Sequence, residues 1–419
     1  MDTTPTVSRN RLILLNTYWL GLSFMWNSLH VLVLPALLLG FVPETRKNTV
    51  LGALTFTGLV IAMFVQPVAG ALSDAWTSRF GRRRPWIAGG TLFDLVFLSA
   101  MAAAGGLPLL AIGYIGLQVT SNLAHGPAQG LMHDQVPRRQ MGIASGLKNM
   151  FDMSGIVVSS LLLGSLFDPA RPVTAFGWII GVLVAAALLT LLGVPERGRS
   201  QSTTSIPIRE ALRVDFGDLG GFGRLILARL VFLSGIYGVQ AFAQYFVRDT
   251  LQAPDPIRVT GNLMAAIVLT LIAFSIISGF LCDHMGRKRV HVMATALVVV
   301  GCLLLSRAVV ERTVLIYGSV IGAGIGLFIT ANWALANDLA PAGQGGKYLG
   351  LTNLATAGAG AFSRLAGPGI DILNAYRPGA NLGYTALFVG AAILALISLV
   401  FLRRVPDPAA NHQPLATIG

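Results

Sequence analysis

Charge is what this sequence has least of: 11% of its 419 residues are Asp, Glu, Lys or Arg, against 54% that are apolar. A globular surface in water carries about 25% charged residues. The deficit excludes a chain that keeps its whole surface in water and fits one whose outer surface meets lipid. Cysteine is scarce as well. Cys282 and Cys302 both fall in or beside apolar runs, so neither a disulfide framework nor a CxxC site is indicated. No GxSxG, HExxH or Walker A constellation is present, so no catalytic residue, metal site or cofactor is expected, and the chain is not read as an enzyme. A long basic arm is missing too. The net charge of +12 comes from short clusters between apolar runs, as in Arg82-Arg83-Arg84 and Arg287-Lys288-Arg289. Such clusters fix membrane topology and do not bind nucleic acid. The segment from Met1 to Asn10 is polar and lacks a signal-peptide pattern, so the first apolar run is read as a retained span.

Apolar runs and glycine are plentiful. Glycine, with 48 residues, permits close helix contacts in lipid. A membrane helix needs about 20 mainly apolar residues, and twelve such runs are present. The first six cover roughly 12–41, 48–72, 86–104, 107–133, 141–167 and 173–194. The second six cover roughly 222–250, 259–281, 290–308, 312–337, 347–373 and 380–402. The fold class is therefore an all-α membrane protein of twelve transmembrane helices in two pseudo-symmetric six-helix bundles. Residues 1–194 form the first bundle, 195–221 a cytoplasmic linker, and 222–419 the second bundle with a short cytoplasmic tail. Within the linker, Ile208, Ala211 and Leu212 share one face, so a small interfacial helix and an irregular linker both remain open. Arg and Lys gather in the segments on the N-terminal side of the alternating topology. Both termini are thus expected in the cytoplasm, in a multi-pass protein of the plasma (inner) membrane.

The halves repeat each other. Residues 134–149 read DQVPRRQMGIASGLKN and residues 338–353 read DLAPAGQGGKYLGLTN, with Asp, Pro, Gln, Gly, Gly-Leu and Asn in register. GALSD at 70–74, followed by RFGRRRPW, recurs as GFLCD at 279–283, followed by HMGRKRV. Each pair falls in the corresponding loop of its half. Parallel repeats of this kind are a transporter architecture with the substrate between them at mid-depth.

The loop from GALSD to RFGRRRPW resembles the signature loop after the second helix of major facilitator transporters, and GFLCDHMGRKRV resembles its copy after the eighth. The resemblance runs from about 12 to 404. With DQVPRRQMGIASG in the next loop, it looks like the branch of sucrose–proton symporters and glycoside–pentoside–hexuronide cation symporters. The resemblance implies that Gly70, Asp74, Arg79 and Arg83, with Gly279, Asp283 and Arg287 in the second half, form a conformational gate that latches the cytoplasmic side. Gly70 is read as the residue that lets helices approach closely, and Asp74 as a carboxylate that pairs with an arginine or a helix N-terminus. Basic residues that serve topology alone are the competing reading. The family's sodium-coupled members carry paired aspartates in the second span. Here 48–72 has no carboxylate, so coupling to a proton, or uniport, is expected.

Charged groups inside a membrane are costly, which makes each one a functional candidate. Asp94 stands about 12 Å into the third span at 1.5 Å per residue. Asp152 lies at similar depth in the fifth, with Lys148 one turn before it as an i,i+4 partner. Asp94, Asp152 and Lys148 form the candidate proton-coupling set, with Asp94 favoured as the carrier and Lys148–Asp152 open to a structural role. His30 and His125 follow as proton sites. Arg229 is read as snorkelling from the start of span 7; Arg364 is deeper and needs a partner.

In the major facilitator fold, spans 1, 4, 7 and 10 line the central cavity. The substrate-binding candidates the resemblance implies are Asn27, His30, Gln118, Asn122, His125, Tyr237, Gln240, Gln244, Asn332, Trp333 and Asn337. Amides give and accept hydrogen bonds, which suits a neutral polyhydroxylated ligand. Bonding between helices is their other possible use. The leading reading is a proton-coupled symporter of a small polar solute, a sugar or glycoside, acting as a monomer among membrane lipids. An exporter of amphipathic drugs or metabolites and a lipid transporter are the alternatives.

Overall fold

The computed structural model describes residues 6–196, 220–340 and 345–406. The linker positions 197–219, including the possible short helix around Ile208, lie outside the described residues. All regular structure among the described residues is helical.

Helix α1 runs Arg9–Leu38 and is enclosed along most of its length. Its stretch Ser28–Val33 widens into a π turn. The cause is Pro35, which has no N–H and whose ring crowds the carbonyl one turn back. Next come α2 (Lys47–Ala75), α3 (Arg84–Ala102), α4 (Leu107–Gln135), α5 (Met141–Leu166) and α6 (Pro172–Gly193). Proline opens α3, α4 and α6 in the first turn, where its missing N–H costs nothing. After residue 219 follow α7 (Gly220–Asp249), α8 (Pro256–Met285), α9 (Arg287–Leu305) and α10 (Glu311–Leu339). Then come α11 (Gly345–Ser363), α12 (Ala366–Tyr376) and α13 (Leu382–Arg403).

Eleven helical spans among the described residues are long and apolar enough to cross a membrane. The remaining expected run, 347–373, is divided into α11 and α12. At the break the N–H groups of Arg364 and Leu365 reach back three residues, to Ala361 and Phe362 at 3.1 Å each. Pro368 lacks the N–H that would bond the Arg364 carbonyl across a continued helix, so the break has a local cause.

The chain forms two compact units, Met1–Arg213 with Pro254–Ala265, and Val214–Ala253 with Ala266–Gly419. In the first, α1 packs against α5 and α6, and α4 packs against α2 and α3. In the second, α7 packs against α11 and α13, and α10 against α9. Large apolar side chains such as Phe64, Leu92, Phe93, Ile112, Leu192, Ile276 and Phe280 remain on the outside, a surface that lipid satisfies and water does not.

Close helix approach rests on other glycines than the signature ones. A Cβ added at Gly70 or at Gly279 would meet nothing within 4 Å, contrary to the role expected of Gly70. At Gly126 it would stand 2.4 Å from the Gln66 carbonyl oxygen, and at Gly326 2.4 Å from that of Leu271. Backbone lies on the far side of both contacts and cannot rotate away. Gly126→Ala should therefore lower stability by about 1–3 kcal/mol, while Gly70→Ala should be neutral or stabilising because alanine favours helix. Thermal unfolding in detergent measures both, and equal losses would place the tight crossing elsewhere.

Candidate functional site

The loop before α3 is tied down by a buried arginine. Arg83, 5% exposed, donates to Asp74, to Ser73 Oγ, to Asp134 Oδ2 at 3.0 Å and to the Gly70 carbonyl at 3.2 Å. Arg82 meets the other oxygen of Asp134 at 2.7 Å. Partial burial disfavours the Arg82 charge; the Asp134 hydrogen bond, with the charges of Asp134, Asp74 and Glu196, outweighs it and raises its pKa. Glu196 caps α3, accepting from the Arg83 N–H at 2.9 Å and the Arg84 N–H at 3.2 Å, where the helix dipole favours an anion. Gly81 makes room for that carboxylate: its φ is +101°, and a Cβ there would stand 2.2 Å from Glu196 Oε2. Arg79 takes no part, its guanidinium lying 4.7 Å from the centre of the Phe80 ring. Four segments thus meet at one end of the first unit, joined by Arg11, which donates to Gln135 at 2.6 Å and to the Pro195 carbonyl at 3.1 Å.

The second unit repeats the core of this arrangement. Gly286, at φ +84°, precedes Arg287 as Gly81 precedes Arg82, and Arg287 pairs with Asp338 as Arg82 pairs with Asp134. Among the described residues Asp283 does not join in; it is exposed in the last turn of α8, which Gly286 alone separates from α9. The arginines are the ones the sequence marks. Their shared partners Asp134 and Asp338, and the cap Glu196, are not, although DQVP and DLAP contain both aspartates.

Inside the first unit, one face of α1 carries Trp19, Ser23, Trp26 and His30 at helical spacing. His30 sits in the π turn, and its Nε2 lies 2.9 Å from the Tyr114 hydroxyl. Trp26 stacks on the His30 ring at 5.2 Å, and both are half-buried. Gln118 donates to Tyr114 Oη at 2.7 Å, and Asn122 donates to the Gln118 carbonyl at 2.8 Å. Trp19 meets His125 edge-on at 5.0 Å and lies 4.1 Å beneath Lys148 Nζ. Lys148 pairs with Asp152 at 3.0 Å, and Ser23 donates to the same carboxylate at 2.8 Å. Asn27 instead braces α1 to α5, donating to Ser159 at 2.8 Å and Ser160 at 2.9 Å. Asp94 stands apart from this cluster. It is fully buried, accepts from Thr120 at 2.5 Å through Oδ1, and has no bonding partner for Oδ2 among the described residues. The Tyr18–Thr91 hydroxyl pair, 2.9 Å apart, lies on α1 and α3 within electrostatic reach of Asp94.

In the second unit the cluster centres on Arg229. It does not snorkel. It lies roughly 14 Å along α7 at 1.5 Å per residue, is 4% exposed, and donates inward to Asn332 Oδ1 at 2.7 Å and Thr356 Oγ1 at 2.9 Å. Trp333 lies over its guanidinium at 5.3 Å, and Tyr237 is within electrostatic reach of Arg229 and Arg364. Gln244 is buried and Gln240 half-buried on the same helix, whereas Asn337 is exposed near the end of α10, beside Asp338. His291 carries no signal in the sequence pattern. It is fully buried, edge-on to the stacked rings of Phe232 and Phe328, and neither ring nitrogen has a hydrogen-bond partner among the described residues.

A family profile described as Major Facilitator Superfamily matches residues 16–363 and 225–417. The chain belongs to the Major Facilitator Superfamily. It is a multi-pass membrane transporter, not an enzyme. Its relatives differ in what they are named for. It is 27% identical over 119 residues to sucrose transport protein SUC4 of Arabidopsis thaliana, 24% of this chain and 23% of that protein. It is 27% identical over 227 residues to proton-associated sugar transporter A of Homo sapiens, 47% of this chain and 29% of that one. The chain thus matches less than a third of the length of either sugar transporter. It is 23% identical over 356 residues to the multi-drug resistance efflux pump PmrA of Streptococcus pneumoniae, 83% of this chain and 84% of the pump. Solved structures share the fold: nucleoside transporter NupG at TM-score 0.71 and 12% identity, covering 95% of this chain and 99% of that one, and a D-xylose-proton symporter at 0.70 and 18%, covering 94% and 98%.

Proposed function

We propose that the protein moves a small polar solute, a sugar or glycoside, by proton-coupled alternating access, with both termini in the cytoplasm. The observation that carries the reading is the half-buried pair Trp26 and His30 beside the chain Tyr114–Gln118–Asn122. An aromatic plate next to hydroxyl, imidazole and amide groups matches the apolar face and hydroxyl edge of a sugar ring. The sugar transporters among the relatives support it. Asp94 carries the proton: it is buried and has one carboxylate oxygen that no described group bonds. Asp152 is charge-balanced by Lys148 and holds α1 to α5 through Ser23. The Arg82–Arg83 and Arg287 ion pairs latch the cytoplasmic ends of their units.

Export of amphipathic drugs is the second reading, favoured by the likeness to PmrA along most of the chain. Thermal stability of the purified protein against sugars, glycosides and hydrophobic cations separates the two. A ligand at a hundred times its Kd stabilises by about 2.7 kcal/mol. Stabilisation by a sugar or glycoside is expected, and Trp26→Ala should raise its apparent Kd about tenfold, the equivalent of roughly 1.4 kcal/mol. Stabilisation by hydrophobic cations alone would replace the sugar reading with export.

A further inference from the structure

We propose that the second unit contains a subsite for a carboxylate on the transported solute, with Arg229 as its cationic anchor and Asn332 as a second donor. The inference rests on the sugar or glycoside reading and narrows it to acidic solutes, where sequence alone pointed to neutral ones.

A guanidinium deep among membrane helices needs a counter-charge, and proteins ordinarily supply an aspartate or glutamate. Arg229 has none among the described residues; its bonds run to the neutral acceptors Asn332 Oδ1 and Thr356 Oγ1, and Trp333 lies over it. A guanidinium has five N–H donors, and these two bonds leave most of them unused. Asn332 adds an independent observation. It is fully buried, and its Nδ2 has no hydrogen-bond partner among the described residues. Flipping the amide would not help, because Nδ2 would then face the donor Nη1 of Arg229. The amide is thus held with its oxygen on the arginine and its N–H₂ group without an acceptor. His291, also buried and without a hydrogen-bond partner, lies within electrostatic reach of the same guanidinium.

A brace between helices would be completed by an aspartate at 332, the same size as asparagine and opposite in charge to Arg229. This chain keeps the amide instead, so the positive charge and a neighbouring donor are both left for an outside acceptor. A carboxylate supplies one negative charge and two acceptor oxygens. A phosphate monoester carries about 1.5 to 2 negative charges, more than one guanidinium offsets. The half-buried Trp333 and Tyr237 are the flanking groups that meet the rest of the solute.

Binding to the purified full-length protein tests this, with D-glucuronate and D-gluconate set against methyl glucoside and D-glucitol, and glucose 6-phosphate as the third arm. The acids should bind at least tenfold more tightly than their neutral counterparts. Asn332→Asp should erase that preference by weakening acid binding at least tenfold more than neutral binding. Its thermal stability should be unchanged or raised, since it gives Arg229 an internal partner, so loss of binding is not loss of fold. Equal binding of acids and neutral sugars, or an Asn332→Asp variant that still prefers acids, would overturn the subsite and leave sugar transport standing. Tightest binding of glucose 6-phosphate would overturn the carboxylate in favour of phosphate. Binding of none of these probes, with binding of hydrophobic cations, would remove both the subsite and the sugar reading.

Discussion

Asp94→Asn should abolish accumulation of solute against its gradient while leaving exchange of solute across the membrane. The substitution keeps the shape of the side chain and the bond from Thr120, and it fixes position 94 in a form that neither gains nor loses a proton. With one proton moved per solute, a gradient of one pH unit drives about tenfold accumulation, the equivalent of roughly 1.4 kcal/mol. In the variant the internal-to-external ratio should settle near one under the same gradient, with counterflow preserved. The exchange arm separates loss of coupling from loss of folding. Accumulation that survives Asp94→Asn but not Asp152→Asn would move the proton to the pair with Lys148. Survival in both would move it to His30 or His125, which lie beside Tyr114 and Trp19.

The second large effect is expected at Arg83. Arg83→Ala removes bonds to Asp74, Ser73, Asp134 and the Gly70 carbonyl together. Breaking a buried ion pair by removing one partner costs about 3–5 kcal/mol. The Asp74 side chain is 35% exposed, and Asp134 keeps Arg82, so solvent and the remaining partner reduce the loss to roughly 2–3 kcal/mol. Arg79→Ala, on an exposed side chain outside the network, should stay within about 0.5 kcal/mol. Gly130 gives an internal check: a Cβ there would stand 2.5 Å from Arg83 Cζ. Gly130→Ala should therefore destabilise the wild type and cost little in the Arg83→Ala background, a non-additivity expected of groups in contact. Additive losses in thermal unfolding would show that Arg83 does not occupy that place. Asp74→Asn removes only the charge at one bond of the set, so its effect on stability should be smaller, while cysteine accessibility at this end should rise as the latch weakens.

Both experiments turn on positions of uneven legibility. Asp94 and Lys148–Asp152 stand out because charge within an apolar run is conspicuous and an i,i+4 pair is local. The stripe Trp19–Ser23–Trp26–His30 follows helical spacing too, but in an apolar helix that spacing singles out only its histidine. Pro368 is an equally local cause of the break at Arg364, although 347–373 reads as one run by its apolar length. Asp134, Asp338, Glu196 and His291 gave no such signal, since their importance lies in what they meet.

Sequence alone determined the membrane, the helices and the internal repeat. Those follow from the length of apolar runs, from proline in first turns and from motifs that recur in order, all of which are properties of neighbouring residues. Tertiary structure alone decided that a side chain is excluded at Gly126 and not at Gly70, that Asn27 is committed to Ser159 and Ser160, and that Arg229 turns inward to Asn332 and Thr356. The physical reason is the solvent. A helix in water declares its buried face by an apolar stripe, but a helix apolar all round does not. Which way each side chain faces, and so which distant residue it meets, is set by the packing of one helix on another.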